Sequence, residues 1–357
     1  MKICITGICG FVGATLAKSL VAEPWVSSIC GIDNFSRPGS EWNRNPLKES
    51  GIRVIRGDMR CASDVESLPK VDWVIDAAAN PSVLAGVDSK TSSRQLVEHN
   101  LLGTINLLEF CKAHQSGFCL ISTSRVYSIP GLANLRMQVL DNAFAPDPDQ
   151  DFPFGISVNG VSERYSTDPP VSIYGSTKVT SEHLALEYGS TFGFPVWINR
   201  CGVMAGAGQF GHPAQGIFAY WIHSFREKKP LRYIGFGGSG HQVRDCMHPR
   251  DLIPLLRKQC LEEANNQSIP RVCNFSGGSE NSMSLATLTH WCESRFESVS
   301  ISGIDQNRPF DIPWMILDNG LAKRIWDWKP DTKLPQIAEE IACFAEHESN
   351  WLAISAS

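Results

Sequence analysis

The chain of 357 residues contains no run of about 18 or more apolar residues, the length a membrane-crossing helix needs. It also lacks any excess of positive charge. Its 32 Lys and Arg stand against 37 Asp and Glu, a net charge of −5 that leaves no basic field for nucleic acid. The 12 cysteines and 9 histidines include no Cys-x-x-Cys and no His-Glu-x-x-His, so metal chemistry has no ligand set in the sequence. Several cysteines (Cys4, Cys30, Cys119) sit inside apolar runs, as small buried thiols in a reducing compartment do, and not as a disulfide scaffold. Residues 1–6 read as a strand and not as a signal peptide. These absences predict a cytoplasmic protein with neither a membrane nor a nucleic-acid partner. Internal repeats and low-complexity tails are missing too.

What remains is a composition, 43% hydrophobic, that can bury a large core in one large domain or two unequal ones. The apolar run Lys2-Ile3-Cys4-Ile5-Thr6 leads directly into Gly7-Ile8-Cys9-Gly10-Phe11-Val12-Gly13, and apolar residues at helical spacing follow over 14–21. Glycines between a strand and a helix let the backbone approach a pyrophosphate, to which the helix N-terminus offers unpaired N–H groups. The competing reading is a tight turn alone. A second apolar run, 28–32, ends in Asp33, where a dinucleotide fold places an acid against the adenosine ribose. A carboxylate there accepts from both ribose hydroxyls and repels a 2′-phosphate. NAD is therefore expected over NADP, with Arg37 nearby as the countervailing charge.

Strands and helices alternate along the chain. Residues 53–58 and 73–76 read as buried strands, 95–113 as an amphipathic helix, and 118–122 as the next strand; 196–200 closes the series. Repeated β-α units predict an α/β, Rossmann-type, doubly wound parallel sheet whose crevice lies at the carboxyl ends of the strands. Past residue 202 the pattern loosens into a smaller, loop-rich region. The expected division is a cofactor-binding domain over 1–202 and a mainly substrate-binding α/β domain over 203–357, parts of which return to the first. The stretch 128–171, rich in proline, reads as a long irregular loop that walls the site.

Residues 173–188 read as a helix after Pro169-Pro170, with Tyr174 and Lys178 four apart on one face. A cation beside a phenol favours the phenolate, so Tyr174 becomes a general base near neutral pH and Lys178 holds the nicotinamide ribose while lowering the tyrosine pKa. Taking a hydroxyl proton while hydride leaves the same carbon converts an alcohol to a ketone. Taken alone, the pair also reads as a surface pair on an amphipathic helix.

With these motifs stand Asp33-Asn34, Gly57-Asp58, Ala77-Ala78-Ala79, Asn100-x-x-Gly103-Thr104-x-Asn106-Leu107-Leu108-Glu109, Ser122-Thr123-Ser124-Arg125-Val126-Tyr127 and Gln242-Val243-Arg244-Asp245. Over residues 1–350 the chain resembles the extended short-chain dehydrogenases/reductases, the nucleotide-sugar epimerases and dehydratases. The resemblance implies a catalytic triad of Thr123, Tyr174 and Lys178. It implies cofactor contacts at Gly7, Cys9, Gly10, Phe11, Val12, Asp33, Asn34, at Asp58 and Met59 near the adenine, and at Ala77, Ala78 and Ala79 along the pyrophosphate. Asn100 is implied as support beneath the site, Ser122 as a further cofactor contact, and Arg200 and Cys201 near the nicotinamide. Thr123, Ser124, Arg125, Gln215, Arg244 and Arg308 are implied on the substrate side, the last two clamping a nucleotide diphosphate. Surface salt bridging is the other reading of those arginines.

Within that family, segments 200–206, 215–221 and 281–285 most resemble CDP-paratose (CDP-tyvelose) 2-epimerases, which implies oxidation at sugar C2 and hydride return to the opposite face on a tightly held NAD. The resemblance also implies a homodimer formed through the helices at 95–113 and 173–188. Asp76, Ala79 and Ser128 depart from the family pattern, where histidine or glycine is frequent. A 4,6-dehydratase needs an acidic pair after the threonine, and here Ser124-Arg125 follows Thr123. A UDP-sugar 4-epimerase uses the same triad and stays open, as does a non-catalytic NAD-binding sensor on this fold.

Overall fold

Seven strands form one sheet at the centre of the computed structural model, which describes residues 1–87, 92–213, 215–264, 266 and 268–356. Strands β1 (Lys2–Thr6), β2 (Ser28–Asp33), β3 (Arg53–Arg56), β4 (Trp73–Asp76) and β5 (Gly117–Thr123) are joined by strands Val196–Cys201 and Val272–Phe275. Across the sheet the order is Val272–Phe275, Val196–Cys201, β5, β4, β1, β2, β3, and every pairing is parallel. The chain runs outward from β1 to β3 and then returns to β4. That reversal opens a crevice between β1 and β4, as the doubly wound reading requires.

Alternation along β1 divides the core. Ile3 and Ile5 pack on one face with Leu16 and Leu20 of helix α1 (Phe11–Leu20), while Cys4 packs on the other with Leu107, Leu108 and Phe110. Both faces are covered, which is why β1, β4 and β5 read as continuous apolar runs.

Three expectations are corrected. The 53–58 run is no buried strand: β3 ends at Arg56 on the sheet edge, with Arg53 and Arg56 exposed and Val54 and Ile55 only half-buried. Charged side chains at its ends suit an edge that must not pair further. The series does not close at residue 200, because Val272–Phe275 adds a strand beside Val196–Cys201. Residues 128–171 do not wall the cleft, and the stretch, though mostly irregular as expected, carries some regular structure. They form a short helix, Ile129–Ala133, and two small hairpins, Met137–Leu140 with Ala143–Pro146 and Ile156–Ser157 with Gly160–Val161. Leu132, Leu135, Ile156 and Tyr165 pack with Val243, Trp314 and Ile316, so the segment buttresses the back of the C-terminal half.

The helix expected over 95–113 is continuous but of mixed winding: α-helical over Ser93–Val97, π over Glu98–Leu102, and α-helical over Gly103–His114. Farther along, strands Val203–Met204, Val243–Met247, Ser282–Ser284 and Trp314–Met315 make a small mixed sheet. Helices Ile217–Arg226, Leu285–Arg295 and Leu334–His347 share an apolar cluster against it that includes Phe218, Trp221, Phe225, Leu288 and Ile341. Among the described residues no helix is long and apolar enough to cross a membrane.

Candidate active site

A cleft of about 1240 Å³ lies over the carboxyl ends of the sheet and beneath the C-terminal half. Gly7, Gly10, Phe11, Val12, Asp33, Asn34, Met59, Ala77, Ala78 and Ala79 line one end, and Ser122, Thr123, Ser124, Arg125, Tyr174, Lys178 and Cys201 line its middle. Gln215, Arg244 and Arg308 line the other end. Four sequence-assigned residues do not line it. Cys9 is buried in the core, Asn100 is buried beneath the site, and Asp58 and Arg200 are committed to other partners.

The glycine turn is dictated by contact. Gly7 has φ of +59°, and a Cβ on it would stand 2.9 Å from the Ala78 Cα. A Cβ on Gly13 would come within 2.2 Å of the Gly7 carbonyl oxygen. No side chain caps helix α1 at Gly10, so its first-turn N–H groups face the cleft with no side-chain acceptor. Asp33 closes this end, accepting from the Cys9 N–H at 2.9 Å and the Phe35 N–H at 2.8 Å. Burial pushes its carboxyl above the usual range, against those hydrogen bonds. Asn34 donates to Asp58 at 3.0 Å, and the Arg60 guanidinium holds the Asp58 carboxyl well below its ordinary value. Arg37 does not stand free beside Asp33: it donates to Gln215 at 2.9 Å and lies over the Phe210 ring.

Polar supports beneath the cleft are buried and matched. Thr6 donates to Asp76 at 2.7 Å while accepting from the Ala78 N–H at 3.0 Å, and Thr104 donates to the other Asp76 oxygen at 3.0 Å. Thus the Asp76 that departs from the family pattern fixes the alanine segment. Asn100 accepts from the Asn80 N–H at 2.8 Å and donates to Thr177 at 3.2 Å, which ties the π turn to the helix Ser172–Phe192.

Tyr174 and Lys178 lie one turn apart on that helix, both buried. Burial raises the Tyr174 phenol; a hydrogen bond with Thr123, at the end of β5, and the Arg125 guanidinium oppose the rise. Burial also lowers the Lys178 ammonium, and the charges that counter this are Asp76 and Glu182. Arg125 is thus a second cation on the Tyr174 side, and Lys178 stands with the carboxylates Asp76 and Glu182. Cys201, at the end of its strand, is pushed up to about 12 by burial and remains a thiol.

Arg200 points away from the cleft. Its guanidinium grips Glu182 through Nε at 3.1 Å and Nη2 at 2.6 Å, and Ser122 donates to the same carboxylate. Glu182, four residues beyond Lys178 and so on its helix face, was visible as a spacing but not assigned. On the far side Arg244 donates to Asp311 at 3.0 Å, and Arg308 donates to the Pro213 carbonyl at 2.9 Å. Nothing local in the sequence announced Asp311, which reaches Arg244 across 67 residues. Arg232 and Ser302, side by side on the parallel strands Leu231–Ile234 and Ile301–Ile304, extend the lining outward. The glycine-rich turn 235–240 lies outside the cleft lining.

The model of the NAD dependent epimerase/dehydratase family matches residues 3–274. The chain is similar to a CDP-paratose 2-epimerase of Salmonella typhi, 27% identical over 92% of this chain and 95% of that one. It is also similar to UDP-glucuronate 4-epimerase 4 of Arabidopsis thaliana, 25% identical over 94% of this chain and 72% of the relative. A UDP-glucuronic acid 4-epimerase of Bacillus cereus, solved with UDP-glucuronic acid and NAD, superposes with a TM-score of 0.74 at 24% identity, over 97% of this chain and 99% of the other.

Proposed function

This chain belongs to the NAD-dependent epimerase/dehydratase family, and we propose from its site that it is a nucleotide-diphosphate-sugar epimerase of the CDP-paratose 2-epimerase kind, working by transient oxidation of the sugar. The observation that carries this reading is the meeting of Thr123, Tyr174 and Lys178 in one cleft, between a glycine turn and a pair of arginines. The full-length likeness to a CDP-paratose 2-epimerase supports the choice of sugar.

The residues at the glycine end fit NAD. Gly7, Gly10 and Gly13 leave open the space that side chains would fill, and α1 offers its N-terminus to a pyrophosphate. Asp33 retains lone pairs for the two ribose hydroxyls and repels a 2′-phosphate, which favours NAD over NADP. Bound NAD supplies a hydride acceptor that returns the hydride within one turnover.

The protein's own part is to place and deprotonate the sugar hydroxyl. Tyr174 as phenolate takes the hydroxyl proton, while Thr123 hydrogen-bonds the same oxygen and keeps it aimed. Lys178 supplies N–H donors for the nicotinamide ribose. Arg244 and Arg308 hold the diphosphate, leaving the sugar free to turn and present its other face. The proton then returns from Tyr174 to the oxygen as the carbon is reduced, so the enzyme ends as it began. Enclosure in the cleft keeps the ketone from water.

Elimination of water, the dehydratase reaction, needs a carboxyl pair beside the sugar. Among the described residues the only carboxylates lining the cleft are Asp33, at the ribose end, and Asp311, already paired with Arg244. Epimerisation is favoured for that reason. In this reading residues 1–202 with strand Val272–Phe275 carry the cofactor and most of 203–357 carries the sugar nucleotide. A homodimer is supported by Val97, Leu102 and Phe192, apolar residues exposed on the two helices that a second copy would cover. Twelve cysteines without a disulfide fit a reducing, cytoplasmic setting.

Proton NMR of the purified protein with CDP-paratose, and separately with UDP-glucose, without added cofactor, tests the assignment. A C2 epimer from CDP-paratose is the expected result. A C4 epimer from UDP-glucose alone would keep the mechanism and replace the substrate.

A further inference from the structure

Arg37, four residues past Asp33 and in the lining of the cleft, reaches across to the C-terminal half. Its Nη1 donates to the Gln215 side-chain oxygen at 2.9 Å, a bond between residues 178 apart in the chain, and its guanidinium lies 5.6 Å over the Phe210 ring. The approach is close. A Cβ on Gly39, whose φ is +86°, would stand 2.9 Å from the Phe210 Cε1.

Both partners of Arg37 are held from behind. Phe210 stacks on Trp351 of the C-terminal helix Trp351–Ala356 at 5.4 Å, and the Trp351 indole N–H donates to the Gln209 carbonyl at 2.7 Å. His212 and Gln215 exchange two backbone hydrogen bonds of 2.9 Å, and Arg308 donates to the Pro213 carbonyl between them. Phe210 and Trp351 share an apolar cluster with Phe11 and Val12, the first residues of α1. The tie from Arg37 therefore stands beside the helix N-terminus that faces the cleft.

The lining of the cleft shows what this tie spans. Asp33, Ser36, Arg37 and Ser40 contribute on the side of β2, and Gln209, Phe210 and Gln215 contribute from the C-terminal half. A bond joining the two walls bridges the space between them. A dinucleotide with its pyrophosphate on the glycine turn and its ribose at Asp33 occupies that space. We infer that Arg37 and Gln215 form a latch over bound NAD, one that parts only when the cofactor leaves. A hydrogen bond from a charged donor, intact in the loaded protein and broken on the way out, slows release by about tenfold. The inference rests on the glycine end as the seat of NAD. It also supplies what the proposed oxidation and hydride return require, because NADH lost in mid-turnover would strand the ketone.

The test is an exchange experiment. Protein loaded with radiolabelled NAD is chased with excess unlabelled NAD, without any sugar nucleotide, and the label still bound is followed by gel filtration. Arg37→Met and Gln215→Leu should each speed release of the label by about tenfold. Because both remove the same bond, the double variant should release label no more than about twofold faster than either single one. Release within about twofold of wild type in both single variants overturns the latch. So does a double variant in which the two factors multiply, since the side chains would then hold NAD separately. A wild type that gives up its label within the time of mixing overturns it as well. Should Arg37→Met fail to fold, as circular dichroism would show, Arg37→Leu is chased in its place and judged by the same rate. If the wild type epimerises no nucleotide sugar, the epimerase reading fails, while the exchange rates still decide the latch.

Discussion

Glu182 and Arg200 form a two-point ion pair inside the protein, Nη2 to Oε2 at 2.6 Å, with the side chains 1% and 8% exposed. The pair joins the helix Ser172–Phe192 to the strand Val196–Cys201, and Tyr127 stacks near the guanidinium at 5.1 Å. Removing one partner strands a desolvated charge. Glu182→Ala should cost ~3–5 kcal/mol of stability, whereas the double change Glu182→Leu with Arg200→Met should recover most of it. Urea unfolding of the three proteins checks this, and a loss below 1 kcal/mol for Glu182→Ala would show that water reaches the pair.

Tyr174→Phe removes the only proton acceptor proposed for the sugar hydroxyl and leaves the ring that fills the site. Turnover should fall by roughly 10²–10⁴ while NAD stays bound. Steady-state rates together with the absorbance of retained cofactor give both halves of the answer. Unchanged turnover would remove Tyr174 from the mechanism.

Much of this site was legible because its parts are local. A strand, three glycines and a helix within the first 20 residues specify the phosphate turn, and Tyr174 and Lys178 share a face through four-residue spacing alone. What stayed hidden depends on long-range partners. Arg200 looked like a cofactor neighbour by its place at a strand end, but its direction is set by Glu182. That Asp76 stands near Lys178 and Arg125 near Tyr174 likewise depends on residues far apart in the chain. Residues 128–171 looked irregular because hairpins of two to four residues per strand carry too little periodicity to detect, and their order comes from packing on Val243 and Trp314.

Gly13 has no room for a methyl group. Its Cβ would lie 2.2 Å from the Gly7 oxygen and 2.9 Å from the Ile8 Cα, both backbone atoms that shift only by moving the whole turn. Gly13→Ala should therefore displace α1 from β1 and empty the protein of cofactor. Purified protein should show at least about a tenfold loss of bound NAD, with helix content by circular dichroism nearly preserved, since only one turn is disturbed. Full NAD retention would mean that the turn is not the pyrophosphate cradle.

His223 sits in helix Ile217–Arg226 with 1% exposure and neither ring nitrogen hydrogen-bonded. Burial, helped by Lys229, lowers its pKa to about 4 from an ordinary 6.5, so the folded protein keeps the ring neutral where the unfolded chain protonates it. Between those two values the unfolded state binds the extra proton, and stability falls as pH is lowered through the window. The loss from this one group amounts to about 3 kcal/mol by the lower end. His223→Leu should flatten the stability profile between pH 6.5 and 4 and raise stability most at the acid end. Urea midpoints across that range decide it: parallel profiles for the two proteins would mean that His223 finds a partner when protonated and is not the group that limits acid stability.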